Sequence, residues 1–130
     1  GIHCSAIFDG DHLSYIAEDI GRHNTLDKLA GMILLAPMIS QSILVFTTGR
    51  VSSEMLQKSV RLGAIAVISR TSPTTLSIQM ARRLGVTLIG YARRDQFQVY
   101  SHPERLAEFA QPFPIHDLTQ VDSSSSSISA

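Results

Sequence analysis

"SILVFTTGRVSSEMLQKSVRLGAIAVISR", Ser42 to Arg70, decides how the rest of the chain is read. A continuous apolar and β-branched run (42–48) gives way to an amphipathic segment (52–63) that ends on Gly63. A second buried run, "AIAVIS" (64–69), follows directly. Runs that are apolar at nearly every position fit strands covered on both faces, and a glycine-terminated helical segment between two of them fits a crossover. Toward the C-terminus the pattern repeats: "PTTLSIQMARRLG" (73–85) predicts a helix, "VTLIGYA" (86–92) a third buried strand, and "FQVYSH" (97–102) a strand that hairpins back against it. Toward the N-terminus, the runs 3–8 and 12–18 flank Asp9-Gly10-Asp11, a hairpin signal. Leu26, Leu29, Ala30 and Ile33 are spaced i, i+3, i+4, i+7, which predicts a helix from Thr25 to Ala36 stopped by Pro37. The alternation predicts an α/β sheet with parallel central strands and a leading β-hairpin.

At 130 residues the chain is long enough to bury a core without a covalent staple. Eleven acidic side chains balance eleven basic ones, which argues against a general nucleic-acid binder and leaves room for a local basic pocket. The single cysteine, Cys4, can form no internal disulfide and belongs to no zinc framework, so a reducing, cytoplasmic setting fits best. No apolar run approaches the ~20 residues that span a bilayer, and "GIHCSA" lacks the features of a signal peptide. The sequence starts abruptly, as though inside a larger fold. From about Gln111 its composition changes, and "VDSSSSSISA" reads as a disordered tail.

The helix starts carry the chemistry. In "EDIGRHNTLDK" (18–28), Asn24 can cap a helix with Asp27 three residues on. Gly21, Arg22 and His23 need another explanation, because cations beside the positive end of a helix dipole are unfavourable unless an anion joins them. Gly49, Arg50 and Ser52 repeat the arrangement after the strand at 42–48. Arg70, Thr71 and Ser72 repeat it after 64–69, with Ser72 as cap and Pro73 at the first helical position. Behind parallel strands these loops share the sheet edge where open α/β sheets hold ligands. Helix N-termini and arginines there suit phosphate; unrelated surface arginines are the competing reading. Arg93 and Arg94 follow the third strand, with Tyr91 able to stack on a ring, or else they mark a solvated turn. His3 and Cys4 are strand neighbours that point to opposite faces and cannot work as a nucleophile pair; Cys4 reads as a small buried residue. His102 reads as a ligand contact or a strand end. No catalytic triad, nucleophile elbow or P-loop is present.

"EDIGRHNTLDKL", "TTGRVSSEMLQKS", "SRTSPTTLSIQMA" and "LIGYARRDQFQVYSHPERL" resemble, in order and spacing, the formate dehydrogenase accessory protein family, FdhD, over about Gly1 to Leu106. The resemblance implies a three-layer α/β/α, cytidine-deaminase-like domain over residues 1–110, followed by the tail 111–130. This sequence lacks the deaminase H-x-E and P-C-x-x-C zinc signature. The resemblance also implies a sulfur carrier. It takes sulfur from a cysteine desulfurase as a persulfide and passes it to bis-molybdopterin guanine dinucleotide before that cofactor enters formate dehydrogenase. GDP is a partial mimic of the cofactor.

The implied cofactor-binding set is His3, Gly21, Arg22, His23, Asn24, Gly49, Arg50, Ser52, Arg70, Thr71, Ser72, Tyr91, Ala92, Arg93, Arg94, Asp95, Gln96 and His102. Family members often carry glycine and a basic residue where Asp95 and Gln96 stand. The family's carrier cysteines lie in a C-x-x-C loop upstream of the block beginning G-x-H, which this sequence does not contain, and Cys4 does not match them. The expectation is a C-terminal domain that binds cofactor without carrying sulfur, and the resemblance implies a homodimer. Rival readings are a deaminase-like nucleotide enzyme and a docking module without ligand.

Overall fold

The structure, a computed structural model, describes residues 1–37 and 42–107, and it opens on a hairpin. Gly10 and Asp11 turn the chain between β1 (His3–Asp9) and β2 (His12–Asp19), and Asp9 faces His12 across the turn. Gly10 has φ +63°, a left-handed conformation that costs a glycine nothing sterically. Pairing shifts by one residue where Ile7 faces Tyr15 but Phe8 faces Leu13, so Ser14 is the extra residue of a bulge.

Helix α1 (Arg22–Leu35) then leads to β3 (Ile43–Thr47). Next come α2 (Ser53–Arg61), β4 (Ala64–Ser69), α3 (Thr75–Leu84), β5 (Thr87–Gly90), β6 (Gln98–Ser101) and a 3-10 turn (Pro103–Ala107). The six strands form one mixed sheet in the order β2-β1-β3-β4-β5-β6. β3, β4 and β5 run parallel, while β1 is antiparallel to both β2 and β3 and β6 is antiparallel to β5. The expected elements all exist, with ends that differ by at most three residues.

Register puts Tyr15, Ile7, Val45, Val67 and Leu88 in one row across the sheet. That row packs with Leu26 and Leu29 of α1, Met55 and Leu56 of α2, and Ala81 of α3 in a single core cluster. All three helices therefore cover the same face. This is what right-handed crossovers produce when each moves the chain in the same direction along the sheet. On the other face, Leu106 of the 3-10 turn packs with Ile89 and Val99, beside Ile68 and Phe97. Toward β2 that face stays open, with Leu13 and Ile16 about half exposed at 47% and 50%. The described residues thus build two of the three expected layers. The Ser-rich tail lies outside the described residues.

The outer strand β2 has a second irregularity besides its bulge: Lys28 Nζ donates to the Glu18 carbonyl at 2.8 Å. Among the described residues no helix is long and apolar enough to cross a membrane.

Candidate functional site

One row nearer the carboxyl ends of the parallel strands, register aligns Ala17, Ser5, Thr47 and Ser69. Three hydroxyls in one row of the sheet would each cost stability if left unpaired, and all three are fully buried. They are paired. Ser5 Oγ donates to Thr47 Oγ1 at 2.9 Å and lies 2.7 Å from Thr25 Oγ1 of α1. Thr47 Oγ1 in turn accepts the Gly49 N–H, and Ser69 Oγ donates to the Gly49 carbonyl at 2.7 Å while accepting the Thr71 N–H. The hydroxyl row therefore grips the Gly49 turn from both sides.

Above this row the loops continue to bond to one another. Thr48 N–H donates to Cys4 O, Arg70 N–H to Thr47 O, Ala92 N–H to Ser69 O and Tyr91 N–H to Thr71 O, all at 2.9–3.1 Å. Val51 and Pro73 form an isolated parallel bridge that joins the loop after β3 to the loop after β4. Because β2 is parallel to β3 and β1 antiparallel to it, this one edge also receives the end of β2 and the start of β1. It gathers His3, Gly21–Asn24, Gly49–Ser52, Arg70–Ser72 and Tyr91–Gln96. Five of the nine arginines, Arg22, Arg50, Arg70, Arg93 and Arg94, stand along it, which makes it the basic side of a chain of zero net charge.

The closest meeting is at Gly49. A Cβ there would come 2.9 Å from Arg22 Cβ, 3.3 Å from Arg22 Cδ and 3.3 Å from His3 Nδ1. The Arg22 stem runs over bare glycine backbone, with His3 alongside. Arg22 Nε is buried and has no hydrogen-bond partner among the described residues. Arg50, Arg70, Arg93 and Arg94 are exposed, and Arg93 Nη1 donates to the Arg70 carbonyl at 2.8 Å. Tyr91, 40% exposed, holds φ +51°, a left-handed conformation uncommon for a non-glycine residue. It is fixed by the Tyr91–Thr71 and Ala92–Ser69 backbone bonds.

The three helix starts are not equivalent. α2 is capped by Ser52, whose side chain accepts the Met55 N–H, and it carries Glu54 in its first turn. α3 is capped by Thr74, which accepts the Ser77 N–H; Ser72 and Pro73 lie before it, so the expected cap at Ser72 is displaced by two residues. The reason is the Val51–Pro73 bridge, which keeps the chain extended through Pro73. α1 begins at Arg22 with Gly21 at the cap position, no side-chain cap and no acidic residue in its first turn. The expected Asn24 cap fails because Asn24 lies inside the helix, where its Nδ2 donates to Asp19 Oδ1 at 3.2 Å. Asp27, in place of closing a capping box, pairs with Lys58 at 3.0 Å.

Asp19 organises this entry. Its carboxylate accepts the Gly21 N–H and bonds Lys28 at 2.9 Å, besides Asn24. The Gly21 N–H, then Lys28 and Asn24, hold its pKa far below the usual carboxylate range. Cys4 is half-buried, not fully buried, and burial followed by the facing carboxylate of Glu18 pushes its thiol pKa up. Ala92 is half-buried, and Asp95 and Gln96 are exposed in the β5–β6 turn.

His102 is not part of this edge. β6 runs antiparallel to β5, so its end returns to the opposite edge. There the His102 ring lies 2.9 Å from the Arg82 carbonyl and 3.0 Å from Glu104. Sequence reasoning also missed Ser5, Thr47 and Ser69, whose signal was a hydroxyl within or at the end of each apolar run. Asp19 is likewise absent from the candidates read from the sequence.

The model of the FdhD/NarQ family matches residues 1–107. The chain is 47% identical over 108 residues to the sulfur carrier protein FdhD of Bacillus subtilis, covering 83% of this chain and 41% of that protein. To the sulfur carrier protein FdhD of Staphylococcus haemolyticus it is 45% identical over 107 residues, covering 82% and 40% respectively. A crystal structure from Desulfotalea psychrophila, of a protein assigned as a formate dehydrogenase accessory protein, superposes with a TM-score of 0.74 at 40% identity. It covers 80% of this chain and 44% of that one. The chain thus spans about two-fifths of the length of the curated relatives it matches.

Proposed function

The chain belongs to the FdhD/NarQ family, and on that premise we propose that it forms the cofactor-holding part of a sulfur carrier protein in formate dehydrogenase maturation. Its ligand in this reading is the molybdenum-bound bis-molybdopterin guanine dinucleotide. The observation that carries the proposal is the single sheet edge where five arginines, a helix start without its own cap and an exposed tyrosine ring converge. Arginine forks and helix amides suit diphosphate, and a ring fixed at Tyr91 suits a guanine face.

The fit has a concrete point, since buried Arg22 Nε lacks an acceptor that a phosphoryl oxygen supplies. Arg22, Arg50, Arg70 and Arg93 would hold the dinucleotide, with His3 beside Arg22. The hydroxyl row beneath keeps the Gly49 turn in place, so the cations are positioned before the ligand arrives. The bound molybdenum centre would supply the sulfur-accepting site. Cys4, with its raised thiol pKa, is a poor sulfur nucleophile at neutral pH, so the persulfide from a cysteine desulfurase is assigned to another part of the full-length relatives. The finer fold reading, a cytidine-deaminase-like sandwich, belongs to the same proposal, with the second helical layer drawn from outside the described residues. Cytoplasmic residence and a homodimer are proposed with it.

Calorimetric titration of the chain with GDP at low and moderate salt tests the reading. The expected result is saturable binding that weakens with salt. Arg50→Ala, which deletes one exposed phosphate contact, should weaken GDP binding by roughly 1–3 kcal/mol. A folded chain that binds no guanine nucleotide removes the proposal.

A further inference from the structure

Resting on the cofactor reading of this edge, we propose that Ser5 is a positioning residue: its hydroxyl ties the first turn of α1 to the Gly49 turn, so that two loops from different elements move as one body. The observation is a continuous run of buried hydrogen bonds. Thr25 Oγ1 donates to the Arg22 carbonyl at 2.6 Å and lies 2.7 Å from Ser5 Oγ. Ser5 Oγ donates to Thr47 Oγ1, which accepts the Gly49 N–H at 3.1 Å. The run leads from a carbonyl of α1, through one side chain of β1, to an amide of the loop after β3. Beyond Gly49, Ser69 Oγ donates to the Gly49 carbonyl and accepts the Thr71 N–H, which extends it to the loop after β4.

Burial alone does not call for hydroxyls at these positions. Ser5, Thr25 and Thr47 are buried as completely as Ile7 and Val45, and apolar side chains in their place would leave no polar group to satisfy. What hydroxyls add is direction, since a hydrogen bond fixes distance and angle where apolar surfaces can slide. The Gly49 turn needs that. A Cβ there would come 2.9 Å from Arg22 Cβ, so the α1 entry and the turn pass each other with no room for a side chain. A small slip between them would change how the cations at Arg22 and Arg50 stand relative to each other. Asp19 does not set this register, because it ties α1 to the end of β2 and not to the Gly49 turn. Ser5 touches both sides.

The test follows amide hydrogen exchange at Gly49 by NMR, without ligand, and GDP affinity by calorimetry. The variants are Ser5→Ala, Thr25→Val and Thr25→Ser, with Ser59→Ala as the control: Ser59 is a buried hydroxyl bonded to Met55 O within α2, away from this run. Ser5→Ala and Thr25→Val should speed Gly49 exchange roughly tenfold and weaken GDP binding severalfold. Thr25→Ser keeps the hydroxyl and should behave as wild type in both. Ser59→Ala should lower the melting temperature and leave both readouts unchanged. Unaltered Gly49 exchange in Ser5→Ala and Thr25→Val overturns the coupling, as does equally fast exchange in Ser59→Ala, which would be general loosening. Faster exchange with GDP affinity equal to wild type overturns the positioning role and leaves the cofactor reading standing. The exchange response in a chain whose wild type binds no GDP supports the coupled loops and sinks the cofactor reading. If Ser5→Ala does not fold, Thr25→Val, nearly isosteric and one link further from Gly49, decides.

Discussion

At the scale of single residues, the contrast between Cys4 and Arg22 is instructive. Both lie at the carboxyl edge and both are partly buried, yet their surroundings push in opposite directions. Burial and the facing Glu18 carboxylate disfavour the Cys4 thiolate, so the thiol stays protonated at neutral pH. Alkylation by iodoacetamide should accordingly be slow at pH 7 and rise only at higher pH. Glu18→Gln removes the lesser cause and should move that pH profile part of the way down, leaving the effect of burial. An unchanged profile would mean that Glu18 does not act on the thiol. Arg22 could be read as a candidate from the sequence, because an arginine beside a glycine at a helix start is out of place without an anion. Its contact with Gly49 could not, because the two meet only through the folding of β1, β3 and α1.

At the scale of elements, the strands and helices were legible because each follows its own period, but the caps were not. A cap is chosen by whatever the neighbouring strand offers. Asp19, at the end of β2, claims Asn24 and the Gly21 N–H together, and the Val51–Pro73 bridge moves the start of α3 to Thr74. The Asp19 carboxylate has a depressed pKa in the folded chain, against about 3.9 when unfolded. Its stabilising contribution is therefore complete above the unfolded value and is lost as pH falls through about 4 toward the lower folded one. Thermal melting from pH 7 to 3 should show wild type losing stability on the acid side. Asp19→Asn should start lower at pH 7 and show a shallower acid decline; parallel curves would assign the decline to other carboxylates. The same approach explains His102, which was grouped with the site by its place in a family block although an antiparallel last strand carries it to the far edge.

At the scale of the whole molecule, the two sides of the sheet differ in energy. Helices α1, α2 and α3 share one core, in which Leu56 is fully buried, whereas Ile16 on the opposite face is 50% exposed. Leu56→Ala should cost about 2–5 kcal/mol, and Ile16→Ala about 1 kcal/mol or less, measured by denaturant unfolding. A large loss at Ile16 would mean that the open face is covered in solution. The layering was the least legible property. Apolar residues at Leu13, Ile16, Phe8 and Phe46 read as though both faces were covered, and only the common direction of the crossovers puts every described helix on one side.

The treatment of β2 carries a consequence for how such a chain behaves when crowded. Among the described residues β2 is an outer strand, and an outer strand of eight residues is a template on which other chains can add, the first step toward fibrous aggregates. Here the Ser14 bulge breaks the row of outward backbone groups in the middle, and Lys28 occupies the Glu18 carbonyl near its end. The other margin, β6, has only four residues. Both margins of the described sheet therefore resist strand-by-strand growth, whatever becomes of its open face.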